Sequence, residues 1–175
     1  MIEATSATLA AYMDIFKWKH KVVNETTVIT VMRSSIPFYE YTVPMHFVVG
    51  KHWMVVRGFL QKRVPSESRI AVLDLLSKLN AHAYEVRFSM ADDAVVLSSE
   101  IPMERLTEES FLYTVRGVMR YANVYGLEIS VMASNVSVSN LYLEVETLIG
   151  KSGSDLPETD VLDFGLDVTA NRLMD

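Results

Sequence analysis

The sequence predicts an α+β domain with a mainly antiparallel sheet, in the order α-β-β-β-α-β-β-α followed by one more helix and a tail. Three observations predict it. Strand-like runs come in two groups, within residues 26–60 and 84–97. Helical periodicity frames those groups at Ser6 to Lys17, at Arg63 to Asn80 and from Thr107 onward. Within each group, successive strands connect by hairpin-length segments rather than by helical crossovers. One domain over residues 1–150 and an acidic tail over 151–175 are expected from these patterns and from the length of 175 residues.

The first helix is expected at Ser6 to Lys17. Leu9, Met13 and Phe16 share a face there, with Tyr12 beside them. Thr5 or Ser6 serves as N-cap, and Lys17, Lys19 and Lys21 complement the dipole at the far end. Thr26 to Arg33 then reads TTVITVMR, rich in β-branched residues. Ser34 to Pro44, bearing Pro37 and Pro44, is the expected connection to a strand at Val43 to Val49. Gly50-Lys51 predicts a tight turn with glycine in its first position, leading into a third strand at Trp53 to Leu60.

The run RVPSESRIAVLDLLSKLN marks a boundary. Pro65 has no amide hydrogen for a central ladder and disfavours helix at Val64, so the strand ends there. Ser66 is the expected N-cap of the helix that follows. That helix carries two adjacent apolar rows, Ile70, Leu73 and Leu76 beside Val72, Leu75 and Leu79. Tyr84 to Met90 alternates, with Tyr84, Val86, Phe88 and Met90 on one side; Asp92-Asp93 turns the chain, and Ala94 to Leu97 returns. Thr107, followed by Glu108 and Glu109, begins a third helix with the core row Phe111, Val115, Val118, Ala122 and Tyr125. Gly126 either stops that helix or lets its row continue through Ile129 and Met132. A last helix is expected at Val138 to Ile149, with period-2 pairing of Leu141, Leu143 and Val145 as the alternative. Residues 151–175 hold six acidic and two basic residues with few large apolar ones, so this tail is expected to be disordered or loosely attached.

One strand stands apart. In Trp53 to Leu60, Trp53, Val55 and Phe59 point one way while Met54, Val56 and Leu60 point the other. A strand apolar on both faces needs cover on both. The second cover is either the helix at Val138 to Ile149 or another chain. On the latter reading Trp53, Met54, Val55, Val56 and Phe59, with Leu75 and Leu79 of the following helix, are the candidate partner-binding or dimer residues.

The chemistry-bearing residues are sparse. The chain has no cysteine, which excludes disulfides and thiolate chemistry and fits a cytoplasmic location. Its net charge of −6, without a cluster of lysine and arginine, argues against nucleic acid as the main partner. Met1 to Met13 has no basic start, and no apolar run approaches the ~20 residues that span a bilayer, so neither signal peptide nor membrane insertion is expected. His20, His46, His52 and His82 form no ligand spacing; Asp92-Asp93 and Glu108-Glu109 read as a turn and a helix start. No catalytic, cofactor-binding or metal site is expected, and no cofactor.

Trp53 to Arg57, Val64-Pro65, Leu79-Asn80, YEVRFSM at 84–90, AVVLSSEIP at 94–102 and LTEESFLYTVRGVMRYAN at 106–123 together resemble the YbjN-type proteins. The order of elements is that of the class I type III secretion chaperone fold. The resemblance covers about residues 5–130. It implies a small acidic α+β protein, commonly dimeric, that binds other polypeptides without a cofactor. The expected function is therefore a non-enzymatic protein-binding module, a chaperone-like or adaptor homodimer with a protein client. The alternative is a regulatory or immunity-type protein that blocks one specific partner, and a small-ligand-binding protein or enzyme stands behind both.

Overall fold

In the computed structural model, residues 5–36 and 39–134 are described. The elements run α1 (Ser6–Ile15), β1 (Lys21–Asn24), β2 (Thr27–Ile36), β3 (Tyr39–Val49), β4 (Trp53–Gln61), α2 (Arg69–Asn80), β5 (Arg87–Ala91), β6 (Ala94–Pro102), a 3-10 turn (Met103–Arg105) and α3 (Glu108–Ser134). Six strands form one sheet in the order β1-β2-β3-β4-β6-β5, and every neighbouring pair is antiparallel. The α+β class and the α-β-β-β-α-β-β-α order are present, with β1 as an added edge strand. No periodicity marks β1, because KVVN is only four residues long and all four are exposed. The expected helix at Val138 to Ile149 and the tail at 151–175 lie outside the described residues.

Local signals set most boundaries. Thr5 and Thr8 form a reciprocal capping box at α1. The helix ends earlier than expected. Lys17 takes a left-handed φ of 57°, and the Trp18 amide donates to the Met13 carbonyl at 2.8 Å, so Lys17, Lys19 and Lys21 lie beyond the last turn. At α3, Thr107 and Ser110 exchange backbone-to-hydroxyl bonds of 2.9 and 3.1 Å. Asp92, with φ 54°, makes the two-residue turn between Ala91 and Ala94 that the sequence predicts.

Four local expectations are corrected. Gly50 has no positive φ, so the turn with glycine first is absent. Instead the Gly50 amide donates to the Trp53 carbonyl at 2.8 Å and Lys51-His52 form the turn. Pro44 lies within β3 opposite Val31 rather than in a connection. It is tolerated because the β3–β4 ladder stops at Met45↔Gly58. Ser66 does not cap α2. The chain makes a turn through Pro65 to Ser68 before α2 starts at Arg69, and the Ser66 hydroxyl donates to Glu67. Tyr84 precedes β5 and is 94% exposed, so the alternating face begins at Val86.

All three helices cover one face of the sheet. The core they enclose joins Leu9 and Met13 of α1, Val72 and Leu76 of α2 and Phe111, Val118 and Ile129 of α3 to alternate residues of the strands. Phe111 sits at its centre, with ring centroids 5.4 Å from Phe47, 5.7 Å from Tyr12 and 6.1 Å from Trp18. α3 lies directly on β4 at Gly58. A Cβ there would meet Met45 Sδ at 3.1 Å and Val118 Cγ1 and Val43 Cγ1 at 3.2 Å. Gly126 does not stop α3; it leaves room for the Tyr41 ring, whose hydroxyl donates to the Ala122 carbonyl.

The boundary after β4 has a tertiary lock. The Val64 amide donates to the Asp93 carbonyl at 2.7 Å, and Arg69 Nη1 reaches the Asp92 carbonyl at 2.9 Å and Asp93 Oδ1 at 3.1 Å. The chain leaving β4 is thus tied to the β5–β6 turn before α2 begins. At the outer edge of β5, the Asn80 side chain donates to the Phe88 carbonyl and accepts from the Phe88 amide, both at 2.8 Å. One amide side chain thereby takes the place of a neighbouring strand at Phe88.

Two predictions test this packing. Gly58→Ala should destabilise the fold by about 1–3 kcal/mol, read from urea unfolding, because three close neighbours must shift. Asn80→Ala should cost about 1–2 kcal/mol and increase association at high concentration, by leaving Phe88 without its edge partner. Unchanged unfolding midpoints would contradict both accounts.

Candidate protein-binding face

The helices leave the other face of the sheet without a helical layer among the described residues. Strand register places its side chains in rows. Thr27, Val48, Val55 and Glu100 form one row; Ile29, His46, Arg57, Ser98 and Arg87 form the next. Val31 stands opposite Pro44, Trp53 opposite Pro102, and Phe59 opposite Val96. Trp53 is 48% exposed, Val31 is exposed, and Val48, Val55 and Phe59 are half-buried. Val96 is buried yet lies outside the contiguous core, held on this face. Completing the burial of Val31, Trp53, Val55 and Phe59 is worth on the order of 3 kcal/mol, taking part of the ~1.5–3 kcal/mol per fully buried side chain.

The seven candidate contact residues therefore divide. Trp53, Val55 and Phe59 lie on the helix-free face. Met54 and Val56 are fully buried in the core beneath α3, and Leu75 is buried under α2. Leu79 is partly buried against the same core. Of the two apolar rows of α2, Val72, Leu75 and Leu76 go inward. Ile70, 82% exposed, and Leu73, 45% exposed, remain outside. Ile70 and Leu73 were legible in the sequence as the wide stripe of α2, but which part of the stripe would stay outside was not.

Among the side chains described on the helix-free face, charge is one-sided. Lys21, Arg33, Arg57 and Arg87 are basic and Glu100 is acidic. Sequence reasoning missed this set because its members come from four strands and are brought together only by register. His46 stands in the middle, opposite Arg57, with its ring centroid 4.6 Å from that of Phe59. Burial, and then the Arg57 charge, pushes its pKa below the usual 6.5.

No constellation of catalytic type is assembled among the described residues. His20 contacts the Trp18 carbonyl, His52 lies in the β3–β4 turn and His82 follows α2. Among the described residues, no group of three His, Asp or Glu is placed to hold a metal ion. A shallow open recess of about 230 Å³ lies near the start of β5, lined by Asn80, Tyr84, Glu85, Arg87, Ser99 and Glu100 among others. At its margin Tyr113 donates to Glu85, which raises the Tyr113 pKa. No helix among the described residues is long and apolar enough to cross a membrane.

No protein-family model and no curated protein matches the chain. Solved structures do. YbjN from E. coli, described as a candidate transcription regulator, superposes with a TM-score of 0.56 at 16% identity, over 74% of this chain and 94% of that one. The chain has a YbjN-like fold. Weaker overlaps, with TM-scores of 0.46 and 0.41, are found with the ExoU–SpcU heterodimer of the Pseudomonas aeruginosa type III secretion system and with the ExsC–ExsE complex. The first covers 74% of this chain and 97% of that one at 14% identity; the second covers 55% and 74% at 13%. Within the YbjN-like fold, the helix-free face carries Val31, Trp53, Val55 and Phe59 outside the contiguous core.

His46 provides a test of that face. Its folded pKa lies below its unfolded value, so the unfolded chain takes up the proton first. The stability contribution of neutral His46 is present above pH 6.5 and is lost as pH falls from there toward the lowered folded value. Imidazole NMR titration should give a midpoint under 6.5, and Arg57→Gln should raise it only partly, because burial is the larger cause. A midpoint at or above 6.5 would contradict the packing described.

Proposed function

We propose that this chain is a non-enzymatic protein-binding module, a chaperone-like or adaptor homodimer that holds another polypeptide on its helix-free sheet face. The observation that carries the reading is the one-sided sheet itself, with Trp53, Val55, Phe59 and Val31 facing away from every described helix. The apolar gain from covering that face, on the order of 3 kcal/mol, falls below the estimated 4–15 kcal/mol cost of bringing two free bodies together. A bound polypeptide therefore needs backbone contacts as well. β2 supports these, since its pairing with β1 ends at Ile29 while the strand continues to Ile36.

The homodimer reading uses a different surface. Ile70 and Leu73 on the outer side of α2 give two copies an apolar contact that leaves the sheet face open. The wide stripe of α2 and the implied habit of YbjN-type proteins support this assignment.

Fluorescence anisotropy with labelled extended peptides of alternating apolar and acidic residues tests the client reading. Binding should weaken at least tenfold in Trp53→Asp. Trp53→Ala should lower stability by only about 1 kcal/mol or less, since the side chain is half exposed. Absence of binding to any such peptide at millimolar concentration would sink the reading. Analytical ultracentrifugation addresses the assembly: the parent chain should sediment as a dimer, and the double variant Ile70→Asp, Leu73→Asp as a folded monomer. A monomeric parent chain ends the homodimer reading.

A further inference from the structure

The helix-free face and the C-terminal segment carry matching chemistry. Residues 135–175 contain eight acidic and two basic residues, which leaves fourteen of each in residues 1–134. The whole net charge of −6 therefore belongs to that segment. The remainder is neutral overall, yet its helix-free face gathers Lys21, Arg33, Arg57 and Arg87 against Glu100 among the described side chains. Within the segment, residues 160–168 read DVLDFGLDV. Aspartates at 160, 163 and 167 are interleaved there with Val161, Leu162, Phe164, Leu166 and Val168. In an extended backbone, Phe164, Leu166 and Val168 fall on one side and Asp163 and Asp167 on the other.

We propose that residues 160–168 of this same chain lie across the helix-free sheet face, seating Phe164 and Leu166 against Trp53, Val55 and Phe59, and compete there with the polypeptide client. The competition rests on the reading of that face as a protein-binding surface; the docking itself does not.

Reach allows it. α3 ends at Ser134, and residues 135–159 extend up to about 80 Å at ~3.3 Å per residue. A six-stranded sheet is only about 25–30 Å wide at ~4.8 Å per strand. Tethering also answers the shortage of apolar area. A linked segment acts at an effective concentration of about 1 mM, so it does not bear the full association cost of a free partner. With a trans dissociation constant of about 100 µM, the docked form outnumbers the open form about ten to one, and a competing peptide binds about tenfold more weakly. The charges meet through water, within a screening length of about 10 Å at 0.1 M salt, so occupancy falls as ionic strength rises.

The two tryptophans make the experiment direct, because Trp18 is 5% exposed in the core and Trp53 lies on the face. The full chain is labelled with 5-fluorotryptophan, and Trp53→Phe assigns the two fluorine resonances. The double variant Phe164→Ser, Leu166→Ser should move the Trp53 resonance toward the solvent-exposed position and leave that of Trp18 in place. Asp160→Asn, Asp163→Asn, Asp167→Asn together, or 0.5 M NaCl, should move it the same way. A synthetic peptide of residues 158–170 should bind the Phe164→Ser, Leu166→Ser chain about tenfold more tightly than the parent chain.

A Trp53 resonance indifferent to these tail substitutions overturns the proposal. So does a resonance that follows protein concentration instead, which would assign the face to a second copy. The two readings fail separately. Extended peptides that bind parent and tail variant equally leave the client surface standing and remove the competition. A tail-dependent Trp53 signal with no binding of external peptides supports the docked segment and removes the client.

Discussion

The close approach of α3 to β4 at Gly58 organises the molecule. With hydrogen in place of a side chain, Val118 and the flanking Val43 and Met45 fit at 3.1–3.2 Å from where a Cβ would stand. That contact fixes the height of the helix over the sheet. Phe111 can then reach Phe47, Tyr12 and Trp18 at one end. Tyr41 can pass beside Gly126 to reach the Ala122 carbonyl at the other. A helix of 27 residues pinned along one face also commits α1 and α2 to that face, since each must bury its apolar row against the same core.

The consequence is a sheet with one covered side. Parity along β4 sends Met54, Val56 and Gly58 under α3 and leaves Trp53, Val55 and Phe59 opposite. An antiparallel sheet tolerates a wet second face when that face is polar. Here apolar side chains share it with lysine and arginine, which keeps it hydrated while favouring an occupant that is both apolar and acidic. His46, beside Arg57 in the middle of the face, is less basic than an ordinary histidine through burial and then the Arg57 charge.

The edges are treated differently. Asn80 supplies both bonds of a missing strand to Phe88, and the β5–β6 turn is tied to Val64 and Arg69. At the opposite side, β1 covers β2 only as far as Ile29. Beyond Ile29, β2 runs on to Ile36 without β1 beside it, next to Val31 and the apolar face.

Much of the fold was legible because local signals and tertiary needs agree. Thr5, Thr107 and Asp92 mark helix starts and a turn, and the alternation of Trp53 to Phe59 marks a strand apolar on both sides. The sequence by itself thus determined the α+β class, the order of the main elements and the existence of surplus apolar surface, because periodicity and capping act within a few residues. Tertiary structure alone decided which surplus stays outside. It placed Ile70 and Leu73 in solvent while Leu75 and Leu76 went inward, and let Pro44 sit in a strand where a ladder ends. It also gathered Lys21, Arg33, Arg57 and Arg87 from four strands onto one face. Those outcomes depend on register and on the height of α3 above Gly58, distances set between residues far apart in the chain.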